Sequence, residues 1–594
     1  MTKFNKAPIR ATLAILLSLG MAGCNIAPVP FGAQSTNQSV KTEEPARRDS
    51  ASSSVATSET NKTEANAPQV TDDAMSAETM GLTAESTYMP IDDTIYNTEE
   101  YGKVEETGFV AASTSPLSTI SADVDTASYA NLRRMLKDGF RVGDAAKDES
   151  EKKNTGGDDV VIVEDYDDGY SSVERKVIPT GAVRLEEMVN YFDYQYQTPK
   201  KGEDFGITAK LGPCPWNKDT QLLVLGYATA NEDASIRQKG SNLVFLIDVS
   251  GSMDDPDKLP LLQKSFAKLV EGLGENDRVS IVTYSGEEKV VLENESGSNK
   301  SKILESINSL KAHGSTNGEA GMRTAYDIAK KHFVEGGINR IVMASDGDLN
   351  VGMTSESDLH DFVEGKRKEG VYLSVLGFGT GNYKDTKMET LADHGNGSYH
   401  YIDCEDEAKR VFEQRIMANL VPFADDVKVQ LEFNPAQIKA YRLIGYDNRS
   451  MAAEDFKNDQ KDAGEVGPNS QFSVVYEIVR PDSAMKIDVP ELKYGQGEGA
   501  NGASSDWITA KLRYKPAGKS DVKEQELAIS EKDWSEDPGD DWRFAAAVTE
   551  FGMLLRNSEF KGTSSYDGIR GLVGSPKDQL RIEFLELVGL AEKN

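Results

Sequence analysis

Cysteine is scarce in this chain, which excludes a fold held together by a framework of disulfide bonds. Only three cysteines, Cys24, Cys214 and Cys404, occur among 594 residues. Exported domains that depend on disulfides carry several pairs in a much shorter chain. Nothing in the sequence shows whether Cys214 and Cys404 come within bonding distance, so their pairing is left open and two independent buried thiols are the favoured interpretation.

Basic residues are outnumbered by acidic ones. The chain has 66 lysines and arginines against 98 aspartates and glutamates, which gives a formal net charge of -32 at pH 7. Such a surface repels the phosphates of nucleic acids and of anionic lipids, and it offers many oxygen ligands to hard cations. The composition therefore argues against a function in nucleic-acid binding.

The sequence also lacks the motifs of common catalytic sites. It contains no HExxH, no GxSxG and no GxxxxGK(S/T), the patterns of zinc proteases, serine hydrolases and phosphate-binding loops. The histidines are too scattered to suggest a zinc site. We predict that the protein is not an enzyme, and a metal-dependent hydrolase using His313 remains the less favoured alternative. The five histidines are His313, His332, His360, His394 and His400.

The apolar run near the start of the chain is too short to span a bilayer. The run covers residues 11–21. Three basic residues precede it, and small residues lead from it to Cys24. The pattern resembles a bacterial lipoprotein signal peptide, which implies that Cys24 is lipidated and becomes the first residue of the mature chain. Asn25 follows, where an aspartate would favour the inner membrane. We predict a lipid-anchored protein of the bacterial cell envelope, with the outer membrane favoured and the exposed face left open.

Composition changes along the chain divide it into regions. The stretch after Cys24 is rich in Ser, Thr, Glu, Ala, Asn and Pro, and it has too few apolar residues to form a core, so we predict a disordered tether. A later acidic insertion is interpreted as a solvated loop. The predicted regions are a signal peptide (1–24), a tether (25–89), an accessory region (90–240) with the acidic insertion (143–178), a central domain (241–417), a β-sandwich region (418–535) and a helical region (536–594).

The central domain is predicted to be a doubly wound α/β fold. Apolar strands such as "LVFLID" and "VYLSVLGF" alternate with amphipathic segments such as "KLPLLQKSFAKLVEGL", a pattern typical of a mostly parallel sheet with helices on both faces. On either side, segments such as "DVKVQLEF" alternate with a period of two, which indicates a β-sandwich. Because strands of this kind precede and follow the central domain, we predict that it is inserted in the sandwich or flanked by it.

Additional helices are predicted near both ends of the folded region. In "DVDTASYANLRRML", Asp125 or Thr126 is placed to cap a helix. Towards the C-terminus, two apolar stripes at helical spacing predict helices that pack into a core. The stripes are Phe544, Val548, Phe551 and Leu555, and Leu580, Phe584, Leu587 and Val588.

Oxygen-bearing side chains follow the ends of the predicted parallel strands. Asp248, Ser250 and Ser252 lie in "LIDVSGSMDD", Thr316 lies in "HGSTNGEAG" and Asp346 lies in "SDGD". In doubly wound sheets the ligand crevice lies at the carboxyl ends of the strands, so these loops should meet. Carboxylates and hydroxyls together suit Mg²⁺ or Mn²⁺. With few charged ligands, the cation keeps a position for an outside oxygen, such as a carboxylate of a partner protein.

These loops resemble a von Willebrand factor A (VWA) domain with a complete metal-ion-dependent adhesion site. The resemblance implies that Ser250, Ser252 and Thr316 bind the metal directly, and that Asp248 and Asp346 bind it directly or through water. Beyond this domain, "DTASYANLRRML", "PCPWN" and "NPAQIKAYRLIGYDNR" resemble the YfbK-type bacterial lipoproteins. This second resemblance covers most of the chain from about residue 119, and it implies architecture more than activity.

Several points stay open at this stage. Asp254 and Asp255 resemble an adjacent Ca²⁺ site of related domains, although an exposed acidic loop is favoured there, and Asp348 and Asn350 are expected to shape their loop. The metal site predicts metal-dependent binding of an acidic partner protein. The alternative is an envelope scaffold whose metal site is only structural. The sequence does not identify the partner, the biological process or the oligomeric state.

Overall fold

The computed structural model describes residues 98–143, 176–230, 239–347, 356–415, 421–487, 505–517, 519 and 521–594. The predicted signal peptide, the tether and most of the acidic insertion lie outside these residues, as do Cys24, Asp348 and Asn350. Within the described ranges, no helix is both long enough and apolar enough to cross a bilayer.

Two antiparallel sheets form a β-sandwich. Their strand orders are β1-β12-β15-β4-β3 and β13-β2-β11-β16-β17, and β14 pairs with β11. The period of two appears in β16, where buried and half-buried residues alternate. The strands are β1 (Val110–Ala111), β2 (Leu117–Ser121), β3 (Phe205–Pro213), β4 (Gln221–Thr229), β11 (Ala424–Phe433), β12 (Ala440–Ile444), β13 (Ser450–Met451), β14 (Gly464–Val466), β15 (Gln471–Val479), β16 (Ile508–Pro516) and β17 (Lys523–Ile529).

A third sheet, of six strands, belongs to the central α/β unit. Its order is β10-β9-β8-β5-β6-β7, and every neighbouring pair is parallel except β6 with β7. Because β1 to β4 precede this unit and β11 to β17 follow it, the α/β unit is inserted in the sandwich, as predicted. Its strands are β5 (Ser241–Asp248), β6 (Arg278–Tyr284), β7 (Glu288–Ser296), β8 (Ile338–Ser345), β9 (Tyr372–Phe378) and β10 (Tyr399–Ile402).

Helices cover both faces of the six-stranded sheet and also build a separate helical layer. The helices are α1 (Ala127–Lys137), α2 (Leu185–Asn190), α3 (Leu259–Gly272), α4 (Lys300–Asn308), α5 (Gly318–Lys331), α6 (Glu356–Lys368), α7 (Asp385–His394), α8 (Glu405–Lys409), α9 (Asp540–Leu555), α10 (Tyr566–Val573) and α11 (Gln579–Lys593). Residues of α3, α4 and α8 pack on one face of the sheet, and residues of α5, α6 and α7 pack on the other. Strand β5 is therefore buried along its whole length, which explains its continuous apolar sequence.

The helical layer is built from α1, α2, α9, α10 and α11. Phe192, Phe544 and Phe584 meet edge to face in its core, with ring centroids 4.8 to 5.9 Å apart. The predicted C-terminal stripes are buried here, except for the half-buried Leu580. These two helices therefore pack into a core, as their spacing predicted.

The predicted cap of α1 is only partly correct. Thr126 is the N-cap residue but makes no capping hydrogen bond, and its hydroxyl lies 3.0 Å from Nδ1 of His400. Asp125 instead accepts a hydrogen bond from the backbone N–H of Tyr399. The backbone N–H of Ser128, in the first turn of α1, donates to Glu187 of α2. A side chain distant in sequence thus takes the place of the local cap.

Buried arginines from outside the α/β unit hold it against the rest of the molecule. Arg133 of α1 pairs with Asp403 and with Glu407 of α8. Arg184 pairs with Asp385 of α7, and Arg449 pairs with Asp393 of the same helix. Removing one partner of such a buried pair leaves an uncompensated charge, so these contacts strongly favour one arrangement.

Cys214 and Cys404 are both free thiols, as the favoured interpretation expected. Cys214 is buried, as expected, but Cys404 is only half-buried.

Candidate metal centre

The first loop of the centre begins where β5 ends. Oδ1 of Asp248 accepts a hydrogen bond of 2.9 Å from the backbone N–H of Ser250, and this contact folds the chain back over the strand end. Ser250 then occupies the N-cap position of a short 3₁₀ turn, Gly251–Asp254, without a capping hydrogen bond from its side chain. The hydroxyl oxygens of Ser250 and Ser252 lie 3.1 Å apart. Because the two serines are two residues apart, their hydroxyls lie side by side in the loop that follows Asp248.

The second carboxylate comes from β8, which pairs with β5. Asp346 directly follows β8, and the hydroxyl of Ser345 donates a hydrogen bond of 3.2 Å to Oδ2 of Asp248. Both aspartates are completely buried. Loss of solvation raises the pKa of Asp248 to about 6, and the neighbouring Asp346 carboxylate acts in the same direction. Two buried carboxylates this close repel each other, which favours a cation between them.

Thr316 lies in the loop between α4 and α5. Two backbone hydrogen bonds tie this loop to the Asp248 loop: His313 N–H donates to Val249 O at 2.7 Å, and Gly251 N–H donates to Gly314 O at 3.0 Å. Gly314 has a φ of +77°, a left-handed conformation that glycine adopts without strain. Thr316 is half-buried just before α5, and its loop is hydrogen-bonded to the loop that carries Asp248, Ser250 and Ser252.

The structure adds two residues that sequence reasoning missed. Lys258 is 3% exposed, and its Nζ lies 3.2 Å from Oδ2 of Asp346 and 3.2 Å from Oδ1 of Asn382. Asn382 donates a hydrogen bond of 3.1 Å to the same Oδ2 of Asp346. In the sequence Lys258 stands just before the first residue of a helix, where lysines are usually solvated, and no motif marks Asn382.

The loop that carries Asn382 is held by the first described residues of the chain. Thr98 N–H donates to Gly381 O at 2.7 Å, and Glu100 N–H donates to Tyr383 O at 2.8 Å. In addition, a carboxylate oxygen of Glu99 accepts the N–H of Gly381. The N-terminal segment and the metal centre therefore share one loop.

The donor set of the centre consists of oxygens. No group of three or more His, Cys, Asp and Glu residues within the described ranges is placed to hold a metal ion. A cation at this point would therefore need the hydroxyls of Ser250, Ser252 and Thr316 beside the carboxylates of Asp248 and Asp346. Hard divalent ions prefer such oxygen ligands, and the donor set suits Mg²⁺ or Mn²⁺.

Asp254, Asp255 and the histidines do not belong to the predicted donor set. Asp254 and Asp255 are exposed, and the Ca²⁺ site considered there stays a prediction. The histidines lie at separate places. His313 is exposed and contacts Lys311 O, His332 contacts Glu293, His360 stacks on His394 and His400 contacts Thr126.

Family models match most of the described chain. The model of the von Willebrand factor type A domain matches residues 242–419. A model with the description "Uncharacterized protein YfbK, C-terminal" matches residues 418–593. A third, described as "von Willebrand factor", matches residues 95–149 and 169–224.

Curated relatives agree with these matches. The chain is 36% identical over 512 residues to YfbK of Escherichia coli strain K12, an alignment that covers 83% of this chain and 81% of that protein. It is 30% identical over 185 residues to the protein sll0103 of Synechocystis, covering 31% of this chain and 43% of that protein.

Solved structures with similarity to the chain include two proteins with von Willebrand factor type A folds. A von Willebrand factor type A protein from Catenulispora acidiphila aligns with a TM-score of 0.35 and 15% identity over 60% of this chain and 80% of that chain. The ArnB paralog VWA2 from Sulfolobus acidocaldarius aligns with a TM-score of 0.33 and 14% identity over 66% and 98%. From the family models and the extent of the YfbK alignment, we conclude that the chain belongs to the YfbK family of proteins with a von Willebrand factor A domain.

Proposed function

We propose that the protein is a lipid-anchored component of the bacterial cell envelope that binds a partner protein through a divalent metal ion. One observation carries this proposal: the buried carboxylates of Asp248 and Asp346 lie at the carboxyl ends of the paired strands β5 and β8, and the hydroxyls of Ser250 and Ser252 lie 3.1 Å apart in the Asp248 loop. These four residues stand in the order of the metal-ion-dependent adhesion site that the sequence resembles, and the Thr316 loop makes backbone hydrogen bonds to Val249 and Gly251 of the Asp248 loop.

Mg²⁺ or Mn²⁺ would supply a strong electrophile that attracts an oxygen ligand from outside the chain. Three of the donors, Ser250, Ser252 and Thr316, are neutral oxygens, so only Asp248 and Asp346 contribute negative charge to the shell. A carboxylate of the partner is the ligand that would complete the shell. The chain's own part is to hold the hydroxyls in place and to bury the two carboxylates.

The envelope location rests on the N-terminal sequence. A lipid on Cys24 would anchor the chain to the membrane, and the polar stretch 25–89 would hold the folded part away from it. Metabolic labelling with a radioactive fatty acid tests this part of the proposal. Label should enter the wild-type protein and be lost when Cys24 is replaced by serine. A labelled serine variant would contradict lipidation at this position.

Partner binding can be tested with an affinity-tagged chain and envelope extract. We expect a partner to be retained in Mg²⁺ and released by a chelator, and Asp248→Ala should abolish its retention. The matched control is Asp254→Ala, which removes an exposed carboxylate from the same loop and should retain the partner. Equal capture by Asp248→Ala and by wild type would contradict metal-dependent binding.

The buried arginine pairs favour a second candidate, an envelope scaffold with a structural metal ion. Arg133, Arg184 and Arg449 fix the α/β unit to the sandwich and the helical layer, as expected of a rigid connecting body. Under this alternative, Asp248→Ala lowers the melting temperature in Mg²⁺ but retains the partner. The same capture experiment therefore separates the two functions.

A further inference from the structure

A buried lysine lies beside the predicted metal ligands. The residue Lys258 is 3% exposed, and its ammonium group contacts Asp346 and Asn382 at 3.2 Å each. A third neighbour, Asp255, is at 3.6 Å, but the side chain of Asp255 is 67% exposed. Exposed ion pairs contribute little. Lys258 is therefore held by the metal centre rather than by the surface aspartate.

The fold provides a slot for the stem of this lysine. The stem passes over Gly379, where a Cβ atom would lie 2.3 Å from two of the lysine carbons. Gly379 also has a φ of +77°, which disfavours any other residue. The backbone thus leaves the space that brings the ammonium group of Lys258 to Asp346.

The position of Lys258 fixes the Asp346 side chain before any metal binds. One oxygen of Asp346, Oδ2, accepts from both Lys258 and Asn382. These two donors hold the carboxylate in one orientation at the end of β8. Lys258 therefore places a positive charge directly beside a buried carboxylate, where an unbalanced charge is unfavourable.

The charge of Lys258 also affects which outside ligand the metal centre favours once a divalent ion is bound. Ionised Asp248 and Asp346 carry two negative charges, and Lys258 contributes one positive charge. A divalent ion then brings the total to one positive charge, which a single carboxylate neutralises. Without Lys258, the divalent ion and the two aspartates are already neutral. In a buried site an unbalanced charge is unfavourable, so the lysine favours an anionic ligand.

We propose that Lys258 is a positioning and specificity residue of the metal centre: it orients Asp346 and gives the metal-loaded site the single positive charge that selects a monoanionic ligand. This inference rests on the proposed function, because it assumes that a divalent ion binds there. Lys258 is not one of the five predicted ligands. The inference assigns to it the preference of the site for a carboxylate over a neutral oxygen donor.

The test uses the full chain in detergent with Mn²⁺ as the metal and acetate as the anionic probe. Titration calorimetry at pH 8 measures Mn²⁺ affinity with and without acetate. In wild type we expect acetate to strengthen Mn²⁺ binding by about tenfold. In Lys258→Met, loss of the nearby positive charge should strengthen Mn²⁺ binding in the absence of acetate, while the effect of acetate should disappear.

Two further variants separate charge from structure. Lys258→Gln keeps a polar side chain in the slot but removes the charge, so it should lose the acetate effect as Lys258→Met does. It also serves if the methionine variant does not fold. The matched control is Lys264→Met, because Lys264 is a largely exposed lysine of α3. This control should behave as wild type in both titrations.

The outcomes distinguish this inference from the function on which it rests. If wild type binds no Mn²⁺, the proposed function fails and the inference fails with it. If wild type binds Mn²⁺ and the glutamine variant keeps the full acetate effect, only the role of Lys258 is overturned.

Discussion

Glu186 offers a test of how strongly buried charge opposes folding in this chain. The residue lies in α2 and is 4% exposed, and its Oε2 makes no hydrogen bond to any of the described residues. Loss of solvation raises the pKa of Glu186 from 4.5 to about 7, and the carboxylates of Asp447 and Asp123 act in the same direction. Below about pH 7, the folded chain therefore prefers the protonated form of Glu186.

The sign and size of the effect follow from this shift. A carboxyl group with a raised folded-state pKa favours folding at low pH, and that contribution is lost as the pH rises from 4.5 to about 7. Each pKa unit corresponds to about 1.4 kcal/mol, so ionised Glu186 destabilises the folded state by about 3 kcal/mol above pH 7. Glu186→Gln has no charge to bury. The variant should be as stable as wild type at pH 4 and more stable at pH 8.

Thermal unfolding across this pH range measures the difference. An unfolding entropy of about 2 cal/mol/K per residue gives roughly 1 kcal/mol/K for a folded body of this size, so the expected gain at pH 8 is about 3 °C. Glu203→Gln is the matched control, because Glu203 is exposed in a turn, and its melting temperature should follow that of wild type. A Glu186→Gln variant that melts at or below the wild-type temperature at pH 8 would refute the reasoning.

Three further predictions concern the fold. Replacing Arg133 by methionine leaves the buried side chain of Asp403 without its arginine and removes one of the two arginines that pair with Glu407, so it should destabilise the chain by about 3 to 5 kcal/mol. Lys137→Met on the same helix should change the melting temperature little, and equal effects of the two substitutions would contradict the importance of the buried pairs. Gly379→Ala should destabilise by at least about 1 to 2 kcal/mol, since its φ is +77°, and an unchanged melting temperature would show that the backbone adapts. Thiol titration of the denatured mature chain, without reductant, should detect Cys214 and Cys404, and a titre that appears only after reduction would indicate a disulfide.

The sequence predicted those features that repeat along the chain. The apolar run of β5 ends at Asp248, and this pattern was sufficient to place the carboxylate at the end of a buried parallel strand. Alternation with a period of two identified β11 and β16 as sandwich strands. Helical spacing placed Phe544 and Phe584 in a core. Each of these patterns reflects a single element and the solvent or core beside it.

Features that depend on contacts between distant segments were not predictable in this way. Glu187 takes the place of the expected Thr126 cap because two helices far apart in sequence meet. Lys258 is buried because the chain turns at Gly379, more than a hundred residues later. The five predicted ligands could be chosen because the motif records their order, but the residues that orient them carry no motif. Sequence patterns thus describe the donors, and tertiary packing determines the charge around them.

Anomalous diffraction from crystals of the chain grown with Mn²⁺ tests the central claim most directly. We expect a single strong peak at the carboxyl ends of β5 and β8, about 2.1 to 2.2 Å from the hydroxyl oxygens of Ser250 and Ser252. The peak should also be close enough for Asp248, Thr316 and Asp346 to bind the metal directly or through water. A peak elsewhere, or no peak at Mn²⁺ concentrations well above physiological levels, would contradict a metal-dependent function for these loops.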